Sequence, residues 1–175
     1  MSRAYIDWRV LACALPVFPL TFYGLIYSLG RLSLSSLVET FEGTESGGGF
    51  DNPGWSHSAL LGSTDWVWSN ALAQSPTHSW FSDSLSTTSA RALVSPAVGI
   101  VPGTALTFWH THSFEGSVTS CWDGGTLEIS TNGGASWSVL PDAAFTGGGF
   151  NGTVNTCCTN PIAGKRAWCS GAIGP

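Results

Sequence analysis

Residues Thr104 to Trp137 read TALTFWHTHSFEGSVTSCWDGGTLEISTNGGASW, and this stretch decides the fold. In its first part Leu106, Phe108, His110, His112 and Phe114 alternate with Thr107, Trp109, Thr111 and Ser113. A period of two places each set on its own side of a β-strand, so the first set faces a core and the second faces away. After a polar, Gly-rich connection, Leu127 and Ile129 alternate with Thr126, Glu128 and Ser130, which sends Glu128 outward. The chain then passes through Thr131-Asn132-Gly133-Gly134, a sequence suited to a tight hairpin because glycine accepts the positive φ such turns need. A return arm over residues 135–140 completes the unit.

Outward from this unit the punctuation stays that of a β-protein. Leu37 to Glu42 reads as a first strand, followed by a Gly-rich loop from Gly43 to Trp55 with Asn52-Pro53-Gly54 near its end. Trp66-Val67-Trp68 puts two indoles on one face of a short strand. Residues 92–95 and 98–101 flank Pro96 and read as one strand with a bend, and Pro102-Gly103 then turns the chain into the organising strand. Downstream, 141–149 is a loop, 150–155 a short strand and 160–164 a turn. No internal repeat is present.

Composition agrees. A chain of 175 residues holds one core of ordinary size, and 22 Gly, 9 Trp and 9 Phe with 10% charged residues suit an all-β domain with many turns. Net charge is -5, and beyond Arg31 ten acidic residues face only Arg91, Lys165 and Arg166. That balance excludes nucleic acid, whose phosphates demand a basic surface. The N-terminus is a separate object. Val10 to Gly30 is an uncharged run of 21 residues broken by Pro16 and Pro19 and preceded by Arg3 and Arg9. Since about 20 residues cross about 30 Å of hydrocarbon, the run reads as a signal peptide or a membrane anchor, with a mis-started reading frame or a buried helix as the alternative.

Ser130-Thr131-Asn132-Gly133-Gly134-Ala135-Ser136-Trp137 resembles the Asp-box, with Asn and Ser where that motif has Asp and Thr. The motif is a structural hairpin, and a single copy excludes a propeller, which needs one in each blade. A longer resemblance runs from Phe41 to Gly171. Phe41-Glu42, Leu93-Val94-Ser95-Pro96, Leu106-x-Phe108-Trp109-His110, Phe114-Glu115, Asp123-Gly124-Gly125-x-Leu127-Glu128-Ile129-Ser130, Gly133-Gly134-x-Ser136-Trp137, Phe150-Asn151-Gly152-Thr153 and Asn160 to Arg166 followed by Trp168 occur in that order. In pattern they are similar to jelly-roll accessory modules, MAM-like or galactose-binding-like, of secreted bacterial proteins and peptidases. The resemblance implies a jelly-roll β-sandwich over residues 37–175, lacking the family's last strands; the uncharged run makes residues 1–36 an N-terminal hydrophobic helix, signal peptide or anchor, ahead of it. The resemblance also implies a structural calcium near the first strand.

Export would place Cys121, Cys157, Cys158 and Cys169 in an oxidising compartment. Adjacent cysteines bond each other poorly, so Cys121 is expected to pair with Cys157 or Cys158 and Cys169 with the other. Four-thiolate zinc is the rival, without any Cys-x-x-Cys to support it. Calcium would use Glu42 with one or more of Asp51, Asp65 and Asp123, and Asp83 and Glu115 also sit in or beside polar loops. His110 and His112, two apart on one strand face, have the spacing for zinc but share that face with core residues. There is no nucleophile motif, phosphate loop or dinucleotide fingerprint. A carboxylate pair for glycoside hydrolysis would have to be Glu115 with Glu128, which nothing brings together.

The loop tryptophans Trp55, Trp66, Trp80 and Trp122 are the remaining binding resource, because indole faces accept the apolar faces of sugars; Trp109 or Trp137 is expected in the core. The expectation is an extracellular, non-catalytic binding or adhesion module, secreted or tethered through residues 10–30, with carbohydrate as ligand. The alternatives are an accessory domain that docks on a peptidase or surface-protein partner, and a zinc or two-carboxylate hydrolase.

Overall fold

A computed structural model describes residues 39–42, 55–74, 77–83, 85–98, 104–157 and 159–173. Val10 to Gly30, Asp51 and Cys158 lie outside them. Among the described residues no helix is long and apolar enough to cross a membrane.

The protein is all-β. Among the described residues the strands are short and pair antiparallel in six two-stranded ladders. The longest joins β1 (Ser56–Leu61) to β4 (Ala90–Val94), with a register shift between Ala59 and Leu61. Between them β2 (Val67–Ser69) pairs with β3 (Ser79–Phe81). The organising stretch enters a ladder only at its end, where β5 (His112–Phe114) pairs with the C-terminal β12 (Gly171–Ile173). β6 (Gly116–Ser117) and β7 (Ser120–Cys121) form a tight hairpin. A second hairpin joins β8 (Glu128–Ile129) to β9 (Ser138–Val139), and β10 (Gly152–Thr153) pairs with β11 (Arg166–Ala167) after a single 3-10 turn at Asp142–Ala144.

The second hairpin is the Asp-box-like one, and its polar residues close on themselves. Ser130 Oγ accepts the Gly134 N–H at 2.8 Å, Asn132 Oδ1 accepts the Ser136 N–H at 2.9 Å, and the Asn132 amide donates to Ser136 Oγ at 2.8 Å. Gly133 and Gly134 take φ of 71° and 87°, which a side chain would resist. Trp137 lies under the turn, where a Cβ on Gly134 would sit 3.3 Å from its ring.

The main core gathers Trp66, Trp80, Leu93, Leu127, Phe150 and Trp168, each from a different strand or the loop beside it. Each such side chain removed from water contributes ~2–3 kcal/mol. A smaller core of Val154 and Ala167 surrounds the disulfide Cys121–Cys169, whose Cα atoms are 5.5 Å apart. Closing 48 residues of sequence in this way stabilises the fold by ~4 kcal/mol if the effect is loop entropy in the unfolded chain. The expected pairing of Cys121 with Cys157 or Cys158 is therefore corrected. The bridge of Cys121 to Val154 sets β7 beside the end of β10, and that of Gly125 to Trp168 brings the residue before Cys169 alongside the same tip, so Cys169 lies within reach of Cys121. Cys157 is also disulfide-bonded.

Other expectations change for physical reasons. Residues 39–42 are not a strand, and Phe41 has φ 57°. Glu128 does not face solvent: it is 1% exposed, and Lys165 Nζ lies 2.5 Å from its carboxylate, so the outward side of β8 is covered by a neighbouring segment. Thr126 and Ser130 on that side are buried as well. The face carrying Phe108, His110, His112 and Phe114 does hold together as a row of rings with successive centroids 5.6, 5.5 and 4.9 Å apart. Leu106 leaves that row for the surface, and Trp109 on the opposite face is 69% exposed. Trp137 is half-buried.

Candidate functional site

A cleft of about 290 Å³ opens between the segment 82–91, the end of β5, the tip after β7 and the turn at Asn160. The β6–β7 hairpin builds its aromatic wall. Gly116 has φ 110°, and a Cβ there would lie 2.2 Å from the Ser120 carbonyl oxygen and 3.3 Å from Trp122 Cδ1, so only glycine lets the hairpin and the indole close up. Trp122 follows directly on the disulfide-bonded Cys121, whose carbonyl accepts the Asn155 N–H at 2.8 Å. Two residues further on, Gly124 packs so closely that a Cβ would be 3.0 Å from the Trp168 carbonyl oxygen. Gly125 exchanges two backbone hydrogen bonds with Trp168, of 3.0 and 2.8 Å. The tip Trp122-Asp123 is thus held at both ends, with its indole 48% exposed.

The cleft is acidic. Asp83, Glu115 and Asp123 line it, with Arg91 as its only basic side chain among the described residues. Loss of solvent on its cleft side and the neighbouring Glu115 charge raise the Asp123 carboxyl, although the Glu115 backbone N–H donates to it and works the other way. Arg91 is 5% exposed, and its guanidinium donates to the Thr64 carbonyl (3.2 Å), Thr64 Oγ1 (2.7 Å), Ser82 Oγ and the Asp83 carbonyl (2.8 Å). These are neutral acceptors inside the wall, so the charge is directed inward. Asn155 and Asn160 add amides to the far rim.

Of the residues singled out from the sequence, Trp122 and Asp123 are brought together here, with Asp83 and Glu115. Trp66 and Trp80 are not: at 3% and 2% exposed they belong to the core and offer no face to a ligand. Trp55 is half-buried edge-on against Phe41 at 5.2 Å. Glu42 and Asp65, two of the carboxylates named for calcium, have separate employments. Glu42 accepts the backbone N–H groups of Thr77 (2.9 Å) and His78 (2.6 Å) and the Thr77 hydroxyl; despite desolvation, these bonds hold its carboxyl down at about 2. Asp65 accepts the Trp66 N–H at 2.7 Å and lies 2.8 Å from His57 Nδ1. Among the described residues no three His, Cys, Asp or Glu side chains converge as a metal would require. Glu128, being paired with Lys165, is not available to Glu115.

His110 and His112 lie nearly parallel, 16° apart. Burial, and then the neighbouring His112, pushes His110 down to about 4; burial lowers His112 too. Both rings are neutral near pH 7, and His112 has neither ring nitrogen bonded among the described residues.

Arg91, Asn155 and Asn160 had not been singled out. A signal existed for Arg91 alone: a lone cation within the apolar run Ala90 to Val94 has to be buried with acceptors around it. No protein-family model, curated protein or solved structure matches the chain.

Proposed function

We propose that the protein is an extracellular, non-catalytic binding module of jelly-roll type whose cleft at Trp122 takes a carbohydrate. The observation that carries this reading is the half-exposed indole of Trp122 on the wall of a polar cleft, fixed on both sides by a disulfide and a backbone bridge. A rigid aromatic face next to carboxylates and amides is the arrangement sugars need: the indole takes the CH patch of the ring, and the polar groups orient the hydroxyls. Preorganisation favours binding further, because little side-chain freedom is left to lose. The disulfide and the exposed, polar loops are in keeping with life outside the cell.

The test is a glycan array with the full chain, followed by titration of the best binder against Trp122→Ala. Loss of one stacked indole should weaken binding by ~10-fold or more, as removing an aromatic anchor does elsewhere. Trp55→Ala serves as the comparison, since its ring packs on Phe41. A glycan that binds the Trp122→Ala protein with unchanged affinity would remove the cleft from the reading.

A further inference from the structure

A neutral sugar leaves one property of the cleft unanswered, which is its charge. Three carboxylates line it against one guanidinium, and that guanidinium is engaged within the wall. Glu115 and Asp123 line the same cleft beside Trp122, and the Glu115 backbone N–H donates to the Asp123 carboxylate, yet among the described residues neither carboxylate has a basic partner. Like charges gathered in one cleft repel, and a cation bound among them recovers that cost. Independently of charge, the exposed Trp122 face in the same cleft attracts cations through its quadrupole and sugar rings through their CH groups.

We propose that the cleft selects a glycan carrying free amino groups, such as a glucosamine oligomer, with its ammonium at Glu115 and Asp123 and its ring on Trp122. The proposal rests on the carbohydrate reading above and names the class of sugar. An ammonium fits the donor set better than calcium does. Calcium gathers about six to eight oxygens, whereas a single –NH₃⁺ has one charge and three donors for the two carboxylates.

The experiment is calorimetric titration of the full chain with glucosamine and N-acetylglucosamine oligomers of equal length, and separately with calcium chloride alone. The free amine should bind roughly five- to tenfold more tightly, as one ion pair in a part-open cleft allows. Added salt should shrink that margin, because exposed charges are screened beyond ~10 Å at 0.1 M ionic strength. Asp123→Asn and Glu115→Gln, both at exposed positions, should bring the ratio of the two affinities to about one, whereas Trp122→Ala should weaken both ligands and leave the ratio in place. Equal affinity for the two oligomers refutes amine selection and leaves the carbohydrate reading standing. No binding of either sugar overturns both. Calcium heat that depends on Glu115 and Asp123 and blocks glucosamine overturns the proposal in favour of a metal.

Discussion

Acid should unfold this protein through two imidazoles. His112 is 1% exposed, sandwiched between His110 and Phe114, and neither of its ring nitrogens is bonded among the described residues. His110 lies between His112 and the Trp168 ring at 4.5 Å. Nothing in the row offers an acceptor to a protonated ring, and two imidazolium ions 5.5 Å apart would repel. The neutral forms are therefore favoured by folding, and the folded pKa values lie below the unfolded ones. Stability from these groups is complete above 6.5 and is lost as pH falls toward the folded value, about 4 for His110. Each pH unit across that window withdraws ~1.4 kcal/mol. The ceiling for His110 is ~3 kcal/mol, and solvent access to a half-buried ring lowers it to ~2. In a chain of this size that corresponds to a loss of roughly 4–8 °C in Tm. Asp123 acts with the opposite sign, since its raised carboxyl is protonated more readily in the folded state. Thermal melts across the window, repeated on His110→Phe, isolate the imidazole contribution: the variant keeps a ring against His112 and Trp168 but cannot titrate. A wild-type Tm that does not fall between 6.5 and 4, or a variant that falls just as steeply, refutes the reasoning.

Gly152→Ala should disrupt the small core, because a Cβ would sit 2.5 Å from Cys121 Sγ and 2.8 Å from Cys169 Sγ. Overpacking of that kind costs ~1–3 kcal/mol, read as a drop in the denaturation midpoint, and an unshifted midpoint would contradict the close approach. Lys165→Met should cost ~3–5 kcal/mol at neutral pH by leaving the Glu128 carboxylate buried without its counter-ion. Adding Glu128→Gln to it should restore most of that loss, and a double variant no better than Lys165→Met would show that the cost lies elsewhere.

Local chemistry was legible in the sequence, and long-range assembly was not. Asn132, Gly133, Gly134 and Trp137 act within a few residues of one another, so the hairpin could be read from composition alone. The ring row from Phe108 to Phe114 was readable for the same reason, since strand periodicity decides it. Glu128 failed the same test: alternation says which side of a strand a residue occupies, not whether another segment covers that side, and here Lys165 does. Trp66 and Trp80 followed the same rule in reverse, read as loop aromatics but drawn into a core assembled from distant segments. The cysteine pairing depended on which strands lie side by side, and that is fixed by the Cys121–Val154 and Gly125–Trp168 bridges. Asn151 also acts over a long range of sequence. Its amide donates to the Cys169 carbonyl at 2.9 Å and its oxygen accepts the Cys169 N–H at 2.7 Å, so it clamps the disulfide.

These clamps explain why the tip at Trp122 and Asp123 suits the proposed site despite lying in a loop. Loops ordinarily lose conformational entropy when they bind, and that loss subtracts from affinity. Here the tip is shorter than the distance over which a chain forgets its anchors: Cys121 is fixed covalently, and Gly124 and Gly125 are locked against Trp168. Asn151 holds Cys169 from the other side, and Trp168 donates its indole N–H to the Gly148 carbonyl at 2.7 Å, tying the platform to the core. The same residues therefore stabilise the fold and stiffen the edge where binding is proposed. A variant that loosens the disulfide should lower affinity at Trp122 before it unfolds the core around Trp66 and Trp80, because the two clusters share few residues.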